Sequence, residues 1–278
     1  MRKTALLIAA AALLGSASVS ADAAEQVVHI DRQPWSFAGP FGTYDRAQLQ
    51  RGYRVYKEVC AACHAMKLVA FRNLAQPGGP GFSEAQAKTV AAEFKINDGP
   101  NDKGEMFERP GRLSDYFPSP DPNEQAARAR FNGAYPPDLS VMAKARGVES
   151  GVARGLLNII TQYQEGGPDY IYAYLTGYGK PPAGEELTPT QHWNLVFPGH
   201  KTQMPPPLTD GQVEYTDGTP ATVSQYARDV SAFLMWASEP HLEARKRIGL
   251  QVFIFLLVFA GLLYFTKKKV WKSVEAHG

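Results

Sequence analysis

Across residues 45–59, apolar side chains recur at Leu49, Tyr53, Tyr56 and Val59, a spacing that lines one face of an α-helix. A second such face carries Val223, Tyr226, Val230, Phe233, Leu234 and Ala237. It follows Thr219-Pro220, which reads as an N-cap with proline in the first turn, and it stops near Pro240. Shorter helical stretches are expected over 139–146 and 169–175. The segments 76–122 and 177–217 are rich in Pro and Gly and read as long loops, with few convincing alternating strands and no internal repeat. The pattern predicts a mainly α chain.

The two ends carry different apolar runs. Arg2 and Lys3 precede a short apolar core from Leu6 to Leu14 and a small-residue site at Val19-Ser20-Ala21, so residues 1–21 read as a cleaved export signal, with Ala24 as the alternative cleavage point. Residues 248–266 are almost continuously apolar, bounded by Arg245-Lys246-Arg247 and Lys267-Lys268-Lys269. Nineteen residues at the helical rise span roughly 28 Å, close to the thickness of a bilayer core. The chain therefore divides into a leader (1–21), an exported head (22–243), a single membrane anchor with basic flanks (244–269) and a short cytoplasmic tail (270–278). Both flanks are basic, so the export signal sets the orientation: head in the periplasm, tail inside.

Charge changes the picture. The whole chain is formally +2, yet residues 22–243 hold 20 Lys plus Arg against 26 Asp plus Glu, a net of −6. An acidic head makes nucleic acid an unsuitable partner and favours encounter with a basic protein.

The chemistry concentrates at Cys60-Ala61-Ala62-Cys63-His64, which uses both cysteines of the chain. Two thiols separated by two residues can add across the vinyl groups of a haem, and the imidazole that follows is placed to ligate the iron. A dithiol switch, half of a zinc site or a structural disulfide compete. Zinc wants further ligands at similar spacing, and a thioredoxin-like motif starts a helix after a strand, whereas here a helical pattern runs into the motif and ends. One covalently attached haem c is the expected cofactor, and the first and last helices of the head would cross beside it as in a class I cytochrome c.

A six-coordinate iron needs a ligand opposite His64. His29, His192, His200, His241, Met66, Met106, Met142, Met204 and Met235 are available. Met204 has the best context, because Pro205-Pro206-Pro207 fixes the backbone beyond it, and a thioether raises the reduction potential. His200, four residues earlier, is the alternative and would lower it.

Tyr56 to His64, Asn132-Gly133-Ala134-Tyr135-Pro136-Pro137-Asp138-Leu139-Ser140, Asp169-Tyr170 to Gly177-Tyr178, Met204-Pro205-Pro206-Pro207, Asp217-Gly218-Thr219-Pro220-Ala221 and Trp236 to Arg247 together resemble the cytochrome c1 family of bacterial ubiquinol–cytochrome c reductase. The resemblance implies His64 and Met204 as axial ligands, Arg146 and Tyr170 near the haem propionates, and Tyr56 with Asn132, Pro136 and Pro137 lining the pocket. It also implies a cytochrome b subunit and a Rieske iron–sulfur protein as partners, with a basic soluble cytochrome c as acceptor. Two features depart from the family: residues 147–164 read as an insertion relative to mitochondrial relatives, and the cysteine pair that braces the methionine loop in some bacterial relatives is missing. Met204 is therefore expected to be held by packing and its prolines alone.

Function follows as electron transfer without a catalytic acid or base. A haem enzyme with an open iron site, and a membrane-bound cytochrome serving a terminal oxidase, are the competing classes. Glu105, Glu108, Asp115 and Asp121 are the carboxylates expected to recruit the basic acceptor.

Overall fold

Asp45 starts the first helix. Its carboxylate accepts from the Ala47 and Gln48 amides at 2.9 and 3.3 Å, satisfying donors that the first turn leaves open. The helix, α1 (Arg46–Glu58), buries Leu49, Gly52, Tyr53, Val55 and Tyr56 and runs directly into a tight turn at Cys60–Ala62. The computed structural model of the chain describes residues 29–147, 152–161 and 163–275. The leader read over 1–21 and the last three residues of the tail lie outside the described residues.

The chain then alternates short helices with small sheets. A capping box between Ser83 and Gln86 opens α2 (Glu84–Ala92). An antiparallel hairpin follows, β1 (Lys95–Asp98) pairing with β2 (Phe107–Pro110), Ile96 opposite Arg109. The long loop expected over 76–122 thus contains a helix and a hairpin. Next come α3 (Glu124–Arg130), the single turn α4 (Met142–Ala145), α5 (Val152–Thr161) within the 147–164 insertion, and α6 (Gly166–Thr176). The loop expected over 177–217 carries a three-stranded antiparallel sheet of β3 (Tyr178–Gly179), β4 (His192–Asn194) and β5 (Lys201–Thr202).

The last helix of the head, α7 (Val223–Ser238), begins with its apolar face at Val223, three residues later than a cap at Thr219 would start it. Thr222, not Thr219, caps it, accepting from the Gln225 amide at 3.3 Å. The Ala221 carbonyl is already taken by the Gly211 amide at 2.8 Å, which holds Pro220 and Ala221 outside the helix.

Helices α1 and α7 cross in close contact. A Cβ on Gly52 would stand 2.1 Å from the Asp229 carbonyl oxygen and 2.7 Å from the Phe233 Cβ. Only glycine permits this approach, so Gly52→Ala is expected to push the helices apart and cost about 3 kcal/mol. Denaturant unfolding of the purified protein reads this directly, and an unchanged midpoint contradicts the crossing. Around the crossing packs an aromatic core of Tyr53, Tyr56, Phe71, Phe94, Phe117, Phe233 and Trp236, with Phe71 and Phe117 centroids 4.4 Å apart.

Beyond Pro240 the chain enters α8 (Leu242–Glu275), long and apolar enough to cross a membrane, its Ile248–Phe265 side chains exposed. The head is tied to its first turns. Arg46 forms a two-pronged pair with Glu243 at 3.0 and 2.9 Å, the Tyr44 amide donates to the same carboxylate, and Lys246 Nζ donates to the Phe37 carbonyl at 2.6 Å. The mainly helical fold with one apolar C-terminal helix agrees with the sequence pattern.

Candidate functional site

The end of α1 carries the two cysteines and the histidine. The Cys60 carbonyl accepts from both the Cys63 amide at 3.1 Å and the His64 amide at 2.9 Å, which folds the five residues into one turn. No disulfide joins Cys60 and Cys63, and burial pushes the Cys60 thiol up to about 12. Tyr56 lies one turn earlier, fully buried between Phe117 and Phe233, and burial followed by proximity to Cys60 raises its phenol. No group of three or more His, Cys, Asp or Glu poised for a bare metal ion exists among the described residues.

His64 is buried, and its Nδ1 lies 2.8 Å from the Pro137 carbonyl. A carbonyl only accepts, so Nδ1 carries the proton and Nε2 keeps its lone pair, the tautomer and ring orientation a metal ligand needs. Burial holds the imidazole pKa below its usual value, outweighing the Pro137 bond and Asp138. The segment holding Pro137 is laced to the motif. Leu139 donates to the Ala65 carbonyl at 2.8 Å, the Asp138 carboxylate accepts from the Lys67 amide, and the Ser140 hydroxyl accepts from the Leu68 amide. These bonds consume residues that the apolar pattern assigned to a helix over 139–146, which is why only the turn α4 forms. Pro136 is half-buried, Pro137 and Asn132 are exposed, and Asn132 sits at φ +52° beside Gly133, opening the turn that leads into the segment.

Arg146 follows α4 and Tyr170 lies on α6. Burial raises the Tyr170 phenol, and the Arg146 charge opposes that rise. Arg146 also lines a cavity of about 190 Å³ with Arg32, Lys144, Tyr163 and Asp169. Asp169, the residue before Tyr170, is buried and accepts from the Gln33 amide at 3.0 Å, from Trp35 Nε1 at 2.8 Å and from the Tyr163 hydroxyl.

Met204 is half-buried against the core. Its amide donates to Thr202 Oγ1 at 3.2 Å, and its carbonyl accepts from the Tyr178 hydroxyl at 3.1 Å. Packing and prolines are therefore not its only support, contrary to expectation. The competing His200 is turned differently: in the connection between β4 and β5, its ring stacks on Trp193 at 4.9 Å and its Nδ1 contacts the Asn194 carbonyl at 3.0 Å. Met66 and Met235 are core residues, Met106 is exposed, and His29 pairs with Asp31 at the surface. A tyrosine series links the two parts of the site, Tyr170 stacking on Tyr174 at 6.1 Å and Tyr174 meeting Tyr178 edge-on at 5.6 Å. The sequence assigns no role to Tyr174, Tyr178 or Thr202, although Tyr178 ends one of the stretches that carry the resemblance; the four-residue spacing of the tyrosines was the available signal.

Of the four expected docking carboxylates, three are in ion pairs. Asp115 is held by Arg109, whose guanidinium keeps the carboxyl below the usual range, and Asp121 pairs with Arg130 at 3.3 Å. Glu108 pairs with Lys95 at 3.3 Å, and Glu105 is exposed, with Asn101 Nδ2 donating to it at 3.1 Å.

Two thiols on one turn beside a buried imidazole with Nε2 available fit a covalently attached haem, and no three-residue cluster for a bare metal ion occurs among the described residues.

Residues 35–274 match the model of the cytochrome C1 family. The chain is 58% identical over 266 residues to the cytochrome b/c1 of Bradyrhizobium diazoefficiens, covering 95% of this chain but 39% of that protein. It is 47% identical to the cytochrome c1 of Blastochloris viridis, over 94% of this chain and 93% of the relative. It is 45% identical to a mitochondrial cytochrome c1 of Solanum tuberosum named as a heme protein, over 95% of this chain and 94% of the relative. The chain belongs to the cytochrome c1 family.

Proposed function

We propose that this chain is the membrane-anchored haem c subunit of a bacterial cytochrome bc1 complex, taking electrons from a Rieske iron–sulfur protein and passing them to a soluble c-type cytochrome. The observation that carries the reading is His64, whose Nδ1 is committed to the Pro137 carbonyl directly after Cys60 and Cys63, which no disulfide joins. In this reading Cys60 and Cys63 would form the thioether links, His64 and Met204 would hold the iron, Arg146 and Tyr170 would satisfy the propionates, and Tyr56, Asn132, Pro136 and Pro137 would line the pocket. Haem c would supply a one-electron iron couple. The chain's own residues do the rest. With His64 and Met204 both committed to the iron, no bond-making substrate would reach it, and the aromatic core around Tyr56 keeps water from the buried side.

The head and anchor follow the same reading: leader 1–21, periplasmic domain 22–243, a single span over 244–269 and a tail from 270 on the cytoplasmic side. The ties from Arg46, Tyr44 and Lys246 to α8 and the head fix the height of the head above the bilayer, beside the cytochrome b subunit. Affinity purification from detergent-solubilised membranes tests the assembly. A b-type cytochrome and an iron–sulfur protein are expected to accompany the chain, and a copper oxidase in their place overturns it in favour of the oxidase-linked class.

Glu105 and Glu108 are the exposed carboxylates that would steer a basic acceptor, Glu108 by exchanging its solvent-exposed partner Lys95 for the acceptor's charge. The double variant Glu105→Gln/Glu108→Gln is expected to slow acceptor reduction roughly threefold at low ionic strength and hardly at all at high salt. Stopped-flow reduction across a salt series checks this; identical salt dependence removes the assignment.

A further inference from the structure

A ligand carried by a loop stays bound only while the loop keeps its shape. The loop after Met204 is three consecutive prolines, which supply no amide donors. Met204 itself is the last residue before them that can donate a backbone hydrogen bond. Both of its backbone groups are taken by side chains from other elements: the amide by Thr202 Oγ1 at 3.2 Å and the carbonyl by the Tyr178 hydroxyl at 3.1 Å. Thr202 is buried, sits in β5 opposite His192, and shares a hydrogen bond of 2.7 Å with the Tyr174 hydroxyl. Tyr178 sits in β3 opposite Asn194, whose amide donates to the Tyr174 carbonyl at 2.8 Å. The three short strands thus bring one donor and one acceptor to a single residue from positions 26 and 2 residues away.

We propose that Tyr178 and Thr202 are positioning residues that clamp the Met204 backbone and so keep its thioether bound. The inference rests on Met204 being the sulfur ligand. Tyr174 supports the clamp through Thr202. A side chain with only a structural role lowers the unfolding midpoint; a clamp also sets how often the sulfur leaves the iron.

Ligand exchange on the full-length holoprotein in detergent separates the two. Carbon monoxide binding to the reduced form and imidazole binding to the oxidised form both require the sulfur to be off. Losing one hydrogen bond is expected to raise the sulfur-off population, and with it the binding rates, about fivefold in Tyr178→Phe and about as much in Thr202→Val. Thr202→Ser keeps the hydroxyl and is expected to bind as the parent does. Wild-type exchange rates in both Tyr178→Phe and Thr202→Val overturn the clamp. Met204→Leu is the companion measurement. If it opens the iron while the other two variants do not, the clamp alone has failed; if it leaves exchange unchanged, the ligand assignment beneath the clamp has failed as well.

Discussion

Met204→Leu is expected to lower the reduction potential by on the order of hundreds of millivolts, to remove the weak long-wavelength sulfur-to-iron band of the oxidised protein, and to admit carbon monoxide to the reduced one. Leucine matches methionine in volume, so the exchange costs the fold less than about 1.5 kcal/mol. The bonds that hold residue 204 run to its backbone amide and carbonyl, and they survive the exchange. What changes is the loss of the thioether, which favours the ferrous state. Potentiometric titration beside the absorption spectrum is the check. A potential within error of the parent, with the band intact, moves the ligand elsewhere, and His200 is then the first residue to replace.

Asp229→Ala is expected to cost about 3 kcal/mol of stability, roughly 10 °C in melting temperature. Asp229 is fully buried on α7 at the crossing with α1. It accepts from Arg51 Nε at 2.9 Å, Gln48 Nε2 at 3.2 Å and Gln225 Nε2 at 2.9 Å. Alanine leaves the largely buried Arg51 guanidinium with only the half-exposed Asp217 as an ionic partner. Removing one member of a buried pair costs more than the pair contributes, because the remaining charge stays desolvated. The double variant Arg51→Met/Asp229→Leu is therefore expected to recover much of the loss, a non-additivity that denaturant titration of the three variants measures. A single-variant loss below about 1 kcal/mol contradicts the burial of the pair.

The helices that frame the site were legible because their apolar periodicity is long and local. Leu49, Tyr53 and Tyr56 on α1, and Tyr226, Val230 and Phe233 on α7, are all buried where the spacing puts them. The start of α7 was not legible. Thr219 and Thr222 are both capable caps, and the Gly211 amide, a long-range partner, decides between them by occupying the Ala221 carbonyl. Nor was the contraction of 139–146 to a single turn, because Asp138, Leu139 and Ser140 are drawn into bonds with residues 65–68, far away in sequence. The Ser83/Gln86 capping box was a readable signal that the Pro and Gly content of 76–122 obscured. Strands of two or three residues, such as β3 to β5, are too short for alternation to register.

The site divides in the same way. Cys60, Cys63 and His64 are contiguous, so their chemistry is written in one line of sequence. The support of His64 and Met204 is not: it comes from the Pro137 carbonyl, Tyr178 and Thr202, which only the folded chain assembles. The charge of the head was legible as a total, whereas the availability of single carboxylates was not, since Asp115 and Asp121 are spent on Arg109 and Arg130.

The central claim is that one haem is bonded to Cys60 and Cys63. Acid–acetone extraction of the purified protein, followed by an absorption spectrum of pellet and solvent, tests it most directly. The account predicts that the porphyrin stays with the polypeptide, and that Cys60→Ser/Cys63→Ser releases or never acquires it. Haem recovered in the acetone phase from the unaltered chain contradicts the account.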